Sequence, residues 1–399
     1  MSTELRQAFQ LDATAFGSFV ALYYFASVPM QLTGGVLMDR YGPRRLLILA
    51  SLMAACGIFL FSLYPYPMLA KLGRFLVGAG GAFAFIGALK LATLWLPPQQ
   101  FGIVAGLVNS LGMLGAILGD IFMVFLMQSW GWQQTLVLFS IIGLGLSSLM
   151  FFGIPKKHPI TYQNDHEGPP NQESAGFKEL FVSLSFLIRN KYIWMNGIIG
   201  GMLYLSLSVF AELWGPLYMR GAYAYSPIDA SRGMAMIFFG WAIGGPLFGW
   251  VSDYIRNRRG PLLIGAVFIT LTISLIFYLP ASTPQWLVLL LLFLFGLASS
   301  SQVIVFTVAK ELATTPHLAG TSIALTNSIA LFFGALLQPL VGKLLDLQWT
   351  GTVIGQLRVY SPTEYHMALL VIPLGGLLAI GLIFYLKETG RTHGSAPTS

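Results

Sequence analysis

Four ionisable side chains, Arg74, Lys90, Asp120 and Glu212, stand inside stretches of the chain that are otherwise apolar. A guanidinium cannot give up its proton, and hydrocarbon is a costly place for it, so Arg74 must face water, a protein interior or a carboxylate. Asp120 is the natural partner, because adjacent antiparallel helices would bring both to similar depth. A carboxylate beside a guanidinium stays ionised, whereas one that loses that partner and enters an apolar cavity takes up a proton. The pair therefore reads either as a proton-coupling device or as a static tie between helices. Lys90, further along the run that holds Arg74, either snorkels to an interface or extends a positive path for an anion. Glu212, near Trp214, either gates a vestibule, carries a proton, binds a cationic group or sits on a solvated rim.

Uncharged polar groups recur at similar depth. Asn109 and Asn327 each begin an Asn-Ser pair about two turns inside an apolar run; they either converge on a central ligand site or bond neighbouring helices. Tyr204 and Gln302 are further candidates for ligand contact, and Tyr23, Tyr24 and Gln31 are weaker ones. Gly112, Gly115 and Gly119 share one helix face and would permit close backbone approach.

The elements that carry these residues are membrane-length helices. Hydrophobic residues make up 56% of 399 positions and only 9% are charged, with a mean hydropathy of +0.73. A water-exposed surface could not be built from so few charges. Apolar runs near or above 18 residues each reach across about 30 Å of hydrocarbon. Spans are predicted near 15–38, 45–64, 68–96, 101–127, 132–155, 192–217, 230–252, 261–280, 286–309, 318–343 and 365–386, with short loops at 97–100 and 310–317. The pattern lacks the short alternating strands of a barrel. An all-α polytopic membrane protein follows.

The net charge of +7 is a topological signal and not a nucleic-acid one. With the spans threaded in order, 14 of the 22 Lys and Arg fall on one side, among them Arg40, Arg44, Arg45, Lys156, Lys157, Arg256, Arg258, Arg259 and Arg391. That bias places those loops and the C-terminus in the cytoplasm. Cys56 is the single cysteine, the five histidines show no metal spacing, and no phosphate loop occurs, so neither a metal nor a cofactor nor ATP-driven work is implied.

The chain repeats itself. At an offset of 214, Arg6 meets Arg220 and Asp39 meets Asp253; at 218, Phe75 meets Phe293, Gly78 meets Gly296, Pro98 meets Pro316 and Asn109 meets Asn327. Each half also holds a charged turn between two spans. The first is Asp39-Arg40-Tyr41-Gly42-Pro43-Arg44-Arg45, and the second runs from Asp253 through Arg256 to Arg258 and Arg259. A carboxylate at such a turn can pair with arginines and with a helix N-terminus, latching one conformation, or the turn is simply topogenic.

These turns resemble the loop between the second and third helices of the major facilitator superfamily. Arg74-Phe-Leu-Val-Gly78-Ala-Gly80-Gly81 is similar to its fourth-helix motif. The glycines at 112–119 partly resemble its fifth-helix antiporter motif, but Ala116 stands where that motif has proline. The second turn departs too, carrying Arg256 in place of the internal glycine. The resemblance implies two pseudo-symmetric bundles, 1–155 and 192–386, joined by a linker at 156–191 and followed by a tail at 387–399. It implies about eleven helices, the family's first helix being expected before Met1. It also implies a non-enzymatic secondary transporter in the bacterial inner membrane, monomeric in the family's manner. The expected activity is proton-coupled symport of a small polar metabolite bearing a carboxylate; the alternatives are a proton-driven exporter and a non-transporting binder or sensor.

Overall fold

The computed structural model describes residues 2–95, 101–155, 177–313, 318–354 and 357–390; the side chains of Asp39 and Asn109 are not among those described. Lys156, Lys157, Pro98, Pro316, Arg391 and most of the linker also lie outside the described residues. Lipid offers no partner for a backbone amide, so each apolar run must satisfy its own N–H and C=O groups as helix. Among the described residues, eleven helices are long and apolar enough to cross a membrane, in the order expected from the sequence.

A short helix, α1 (Ser2–Ala8), precedes α2 (Ala13–Tyr41), α3 (Pro43–Ser62), α4 (Pro67–Trp95), α5 (Phe101–Trp130) and α6 (Trp132–Gly153). The short α7 (Phe177–Ile188) leads into α8 (Lys191–Ala222), α9 (Pro227–Tyr254), α10 (Arg259–Tyr278), α11 (Gln285–Leu312), α12 (Ala319–Gln348) and α13 (Pro362–Tyr385). Between α12 and α13 a two-residue antiparallel ladder pairs Val353 with Arg358 and Ile354 with Leu357. Helix starts are written locally: Pro43, Pro227 and Pro362 occupy the first turn, where a missing N–H costs nothing. Ser226 caps α9 through the Asp229 amide, and Ser361 with Glu364 forms a capping box on α13.

Among the described residues, two helices depart from regular winding inside their spans. Ser206–Trp214 of α8 is a π-helix, and Ser300–Val303 of α11 is a 3-10 turn. Such segments commonly mark functional bends.

The chain divides into two compact units. One comprises Met1–Ala21, Met113–Phe125 and Phe186–Ser399; the other comprises Leu22–Gly112 and Leu126–Ser185. The second unit is packed through α3 and α4, where a side chain added at Gly73 would strike the Gly57 carbonyl, and its core gathers Met38, Leu46, Leu47, Ala50 and Phe83. In the first unit, Phe210, Tyr218, Phe277 and Phe295 form an aromatic centre with ring centroids 5.3 to 6.5 Å apart.

The repeat is visible in the packing. A Cβ at Gly78 would lie 2.2 Å from the Tyr23 carbonyl oxygen, and one at Gly296 would lie 2.0 Å from that of Ile237. Tyr23 and Ile237 are 214 apart and the two glycines 218 apart, the offsets found in the sequence. The close approach expected along Gly112, Gly115 and Gly119 is not found: no described atom lies within 4 Å of a Cβ built at any of the three. Small residues permit contact but supply no force to make it.

Candidate functional site

The charged turns show what their residue types are for. Gly42 has φ 80°, which lets the chain turn sharply from α2 into α3. Arg256, at the corresponding place after Asp253, also has positive φ, 48°, so the turn is kept without the glycine. Arg44 donates to the carbonyls of Phe151 and Ile154, both at 2.6 Å, and so caps the C-terminus of α6. Arg259 does the same for α13, through Ile383 at 3.0 Å and Phe384 at 2.6 Å. The capping arginines are 215 apart, close to the repeat offset of 214. Arg40 lies 5.5 Å over the Tyr41 ring, and Arg45 is exposed.

Arg258 has a different role. Its guanidinium donates to Asp253 at 2.5 Å and to Glu311 at 2.8 Å; Arg258 is buried and Glu311 half-buried. Burial alone would push the arginine down, but its bonds to Glu311 and Asp253 more than offset this and hold it above the ordinary value. The backbone amides of Arg258 and Arg259 donate to Glu388 at 2.9 and 3.1 Å, so a carboxylate beyond α13 caps the start of α10. Burial would raise Glu388; the amides of Arg258, Gly390 and Arg259 outweigh it and hold the carboxyl below its usual range. Thr389 donates to Glu311. Glu311 and Glu388 were not among the sequence candidates, since nothing local distinguishes them from loop-end carboxylates.

Within the spans, Arg74 is half-buried with its guanidinium 5.4 Å over the Tyr23 ring. Its quadrupole partly offsets the cost of the charge. Asp120 accepts a 2.8 Å hydrogen bond from Ser231 of α9. Arg74 belongs to one compact unit and Asp120 to the other. Lys90 and Asn327 are half-buried, on α4 and α12. Tyr204 lies one residue before the end of the regular first part of α8, and Glu212 is exposed within its π segment. Gln302 is buried in the 3-10 turn of α11. Asn109 lies on α5.

One polar cluster had no counterpart among the sequence candidates. Asp346, near the end of α12, accepts from the amides of Ala13 and Thr14 at 3.4 and 2.7 Å and from the Thr14 hydroxyl at 2.6 Å. Arg358 and Tyr360 add bonds of 3.1 and 2.6 Å. Arg6 stacks 5.2 Å from the Tyr360 ring and donates to the Arg358 carbonyl. A signal for it existed only as an acidic residue in the last turns of an apolar helix, where a carboxylate opposes the helix dipole and needs outside donors.

Two repeated sets of membrane-length helices, with arginine-capped turns and sparse ionic groups at depth, define a polytopic carrier-like fold. The profile of the Major Facilitator Superfamily matches residues 1–339, and the chain belongs to that family. The chain is 26% identical over 284 residues to the probable sulfoacetate transporter SauU of Cupriavidus necator, covering 69% of this chain and 65% of that protein. It is 24% identical over 279 residues to the probable galactarate/D-glucarate transporter GarP of Escherichia coli K12, covering 64% of this chain and 62% of that protein. The chain thus spans somewhat less than two thirds of these two relatives. A crystal structure of a D-xylose–proton symporter superposes with a TM-score of 0.71 at 14% identity, covering 98% of this chain and 93% of that one. The two sequence relatives are both named as probable transporters.

Proposed function

We propose that the protein imports a small organic anion bearing a carboxylate, by proton-coupled symport and alternating access. The observation that carries this reading is Arg74, a permanent cation held inside a span beside an aromatic ring. Such a group is expensive at depth, and charges kept there mark substrate or ion pathways. Relatives named for sulfoacetate and for galactarate and D-glucarate fit that chemistry. In this reading Lys90 extends the positive path, Asn109, Asn327, Tyr204 and Gln302 offer neutral contacts, Glu212 guards the approach, and Asp120 carries the proton. The Asp253 network and the Asp39 turn latch one conformation from the cytoplasmic side, in the inner membrane.

Purified protein in proteoliposomes, given labelled D-glucarate and sulfoacetate in turn, tests it. An inside-alkaline gradient should drive accumulation of at least one. Arg74→Gln should lower that uptake about tenfold or more, the scale of a lost hydrogen bond to a charged group. Accumulation only under an inside-acid gradient would point instead to export, and equal uptake by the variant would remove Arg74 from the anion path.

A further inference from the structure

We infer that Asp346 is a gating residue: it clasps the N-terminus of α2 and must release it once in each transport cycle. The inference rests on the carrier reading, but its test uses no substrate, so the two can fail separately.

Helix α2 already has a local cap. Asp12 accepts from the Ala15 amide at 2.7 Å, and its repeat counterpart Ser226 caps α9 through the amide of Asp229, which corresponds to Ala15. The remote carboxylate is therefore not needed to start the helix. It takes the two amides the local cap leaves, those of Ala13 and Thr14, and adds the Thr14 hydroxyl. What it joins is two elements from different repeats.

Beneath the clasp the two helices meet through backbone. A Cβ at Gly342 would lie 2.2 Å from the Ala13 carbonyl oxygen, and one at Gly17 would lie 2.5 Å from that of Gln338. Backbone meets backbone at these two glycines. Trp214 donates to the Gln338 carbonyl at 3.1 Å and packs edge-on against Phe16. The Asp346 side chain is 12% exposed and Arg358 is 39% exposed, so water can replace these bonds as the seam opens. Residues 1–21, the start of a first-repeat helix, are grouped with the second repeat in one compact unit, as a closed clasp requires. The position 218 before Asp346 is Gln128, so the carboxylate is present in only one half.

The test uses a Cys56→Ser background in lipid nanodiscs, where both faces are open to reagent. Ala13→Cys places one thiol in the seam, and its reaction with a 5 kDa polyethylene glycol maleimide is timed as an order-of-magnitude probe of opening. Adding Asp346→Asn should speed labelling about fivefold or more, and adding Thr14→Val about twofold, both by shifting the population toward the open seam. An Ile276→Cys thiol, in the fully buried aromatic centre, should stay unreactive in each background. Should Asp346→Asn not yield folded protein, Thr14→Val decides. Unchanged labelling at position 13 overturns the inference. So does parallel acceleration at position 276, since a merely structural bond would loosen both places.

Discussion

Arg256 holds the left-handed backbone conformation that Gly42 holds in the first half, at a cost of roughly 1–2 kcal/mol for an L side chain. Glycine would relieve that cost while giving back about 0.5–1 kcal/mol in unfolded-chain entropy. Arg256→Gly is therefore expected to stabilise the protein by about 0.5–1 kcal/mol, read as a higher melting temperature in detergent. A lower melting temperature would mean the arginine makes a contact worth more than its strain. The same turn shows what can be read from residue types. Asp253 and Arg258 are close in sequence, and their pairing follows from charge and spacing. Glu311 and Glu388 reach Arg258 across 53 and 130 residues, and nothing in the local pattern announces that. Asp346 was hidden for the same reason, its partners on α2 being more than 330 residues away.

At the scale of helices, hydropathy located the spans because lipid leaves a long apolar run no other way to satisfy its backbone. It did not locate the π segment of α8 or the 3-10 turn of α11, since those depend on which carbonyl each amide reaches. The glycine-bearing faces were legible only in part. Gly78 and Gly296 are true crossing points, whereas no described atom lies within 4 Å of a Cβ built at Gly112, Gly115 or Gly119. Composition gave all five the same appearance. The difference is measurable: Gly296→Ala would drive a methyl into the Ile237 carbonyl and should cost about 1–3 kcal/mol, the range for overpacking. Gly115→Ala should fall within about 0.5 kcal/mol of the parent or slightly above it, because alanine favours helix. Unfolding midpoints in mixed micelles would compare them, and equal losses would mean that the crossing at Gly296 yields easily.

For the whole molecule, the repeat bears on the proposal that Asp120 carries a coupling proton. Asp120 and Gln338 are 218 apart, and their partners Ser231 and Gly17 are 214 apart, so the α5–α9 contact and the α12–α2 contact are the same contact made twice. Both fall within one compact unit, and each joins a helix of one repeat to a helix of the other. The two copies differ in chemistry. Gln338 donates its amide to the Ser208 carbonyl at 2.6 Å and has no proton to exchange near neutral pH. Asp120 has one, and a neutral serine hydroxyl offsets only part of the cost of an ionised carboxylate within a span. A proton taken up there would ease that cost and change how readily one contact, but not the other, is broken. Asp120→Asn makes both contacts amide-based. It is expected to abolish accumulation driven by a pH gradient while leaving counterflow exchange of the same labelled anion within about twofold of the parent, since exchange needs the helices to part but no net proton movement. Equal loss of accumulation and exchange would instead make Asp120 a structural tie, and retention of both would move the coupling proton to another group.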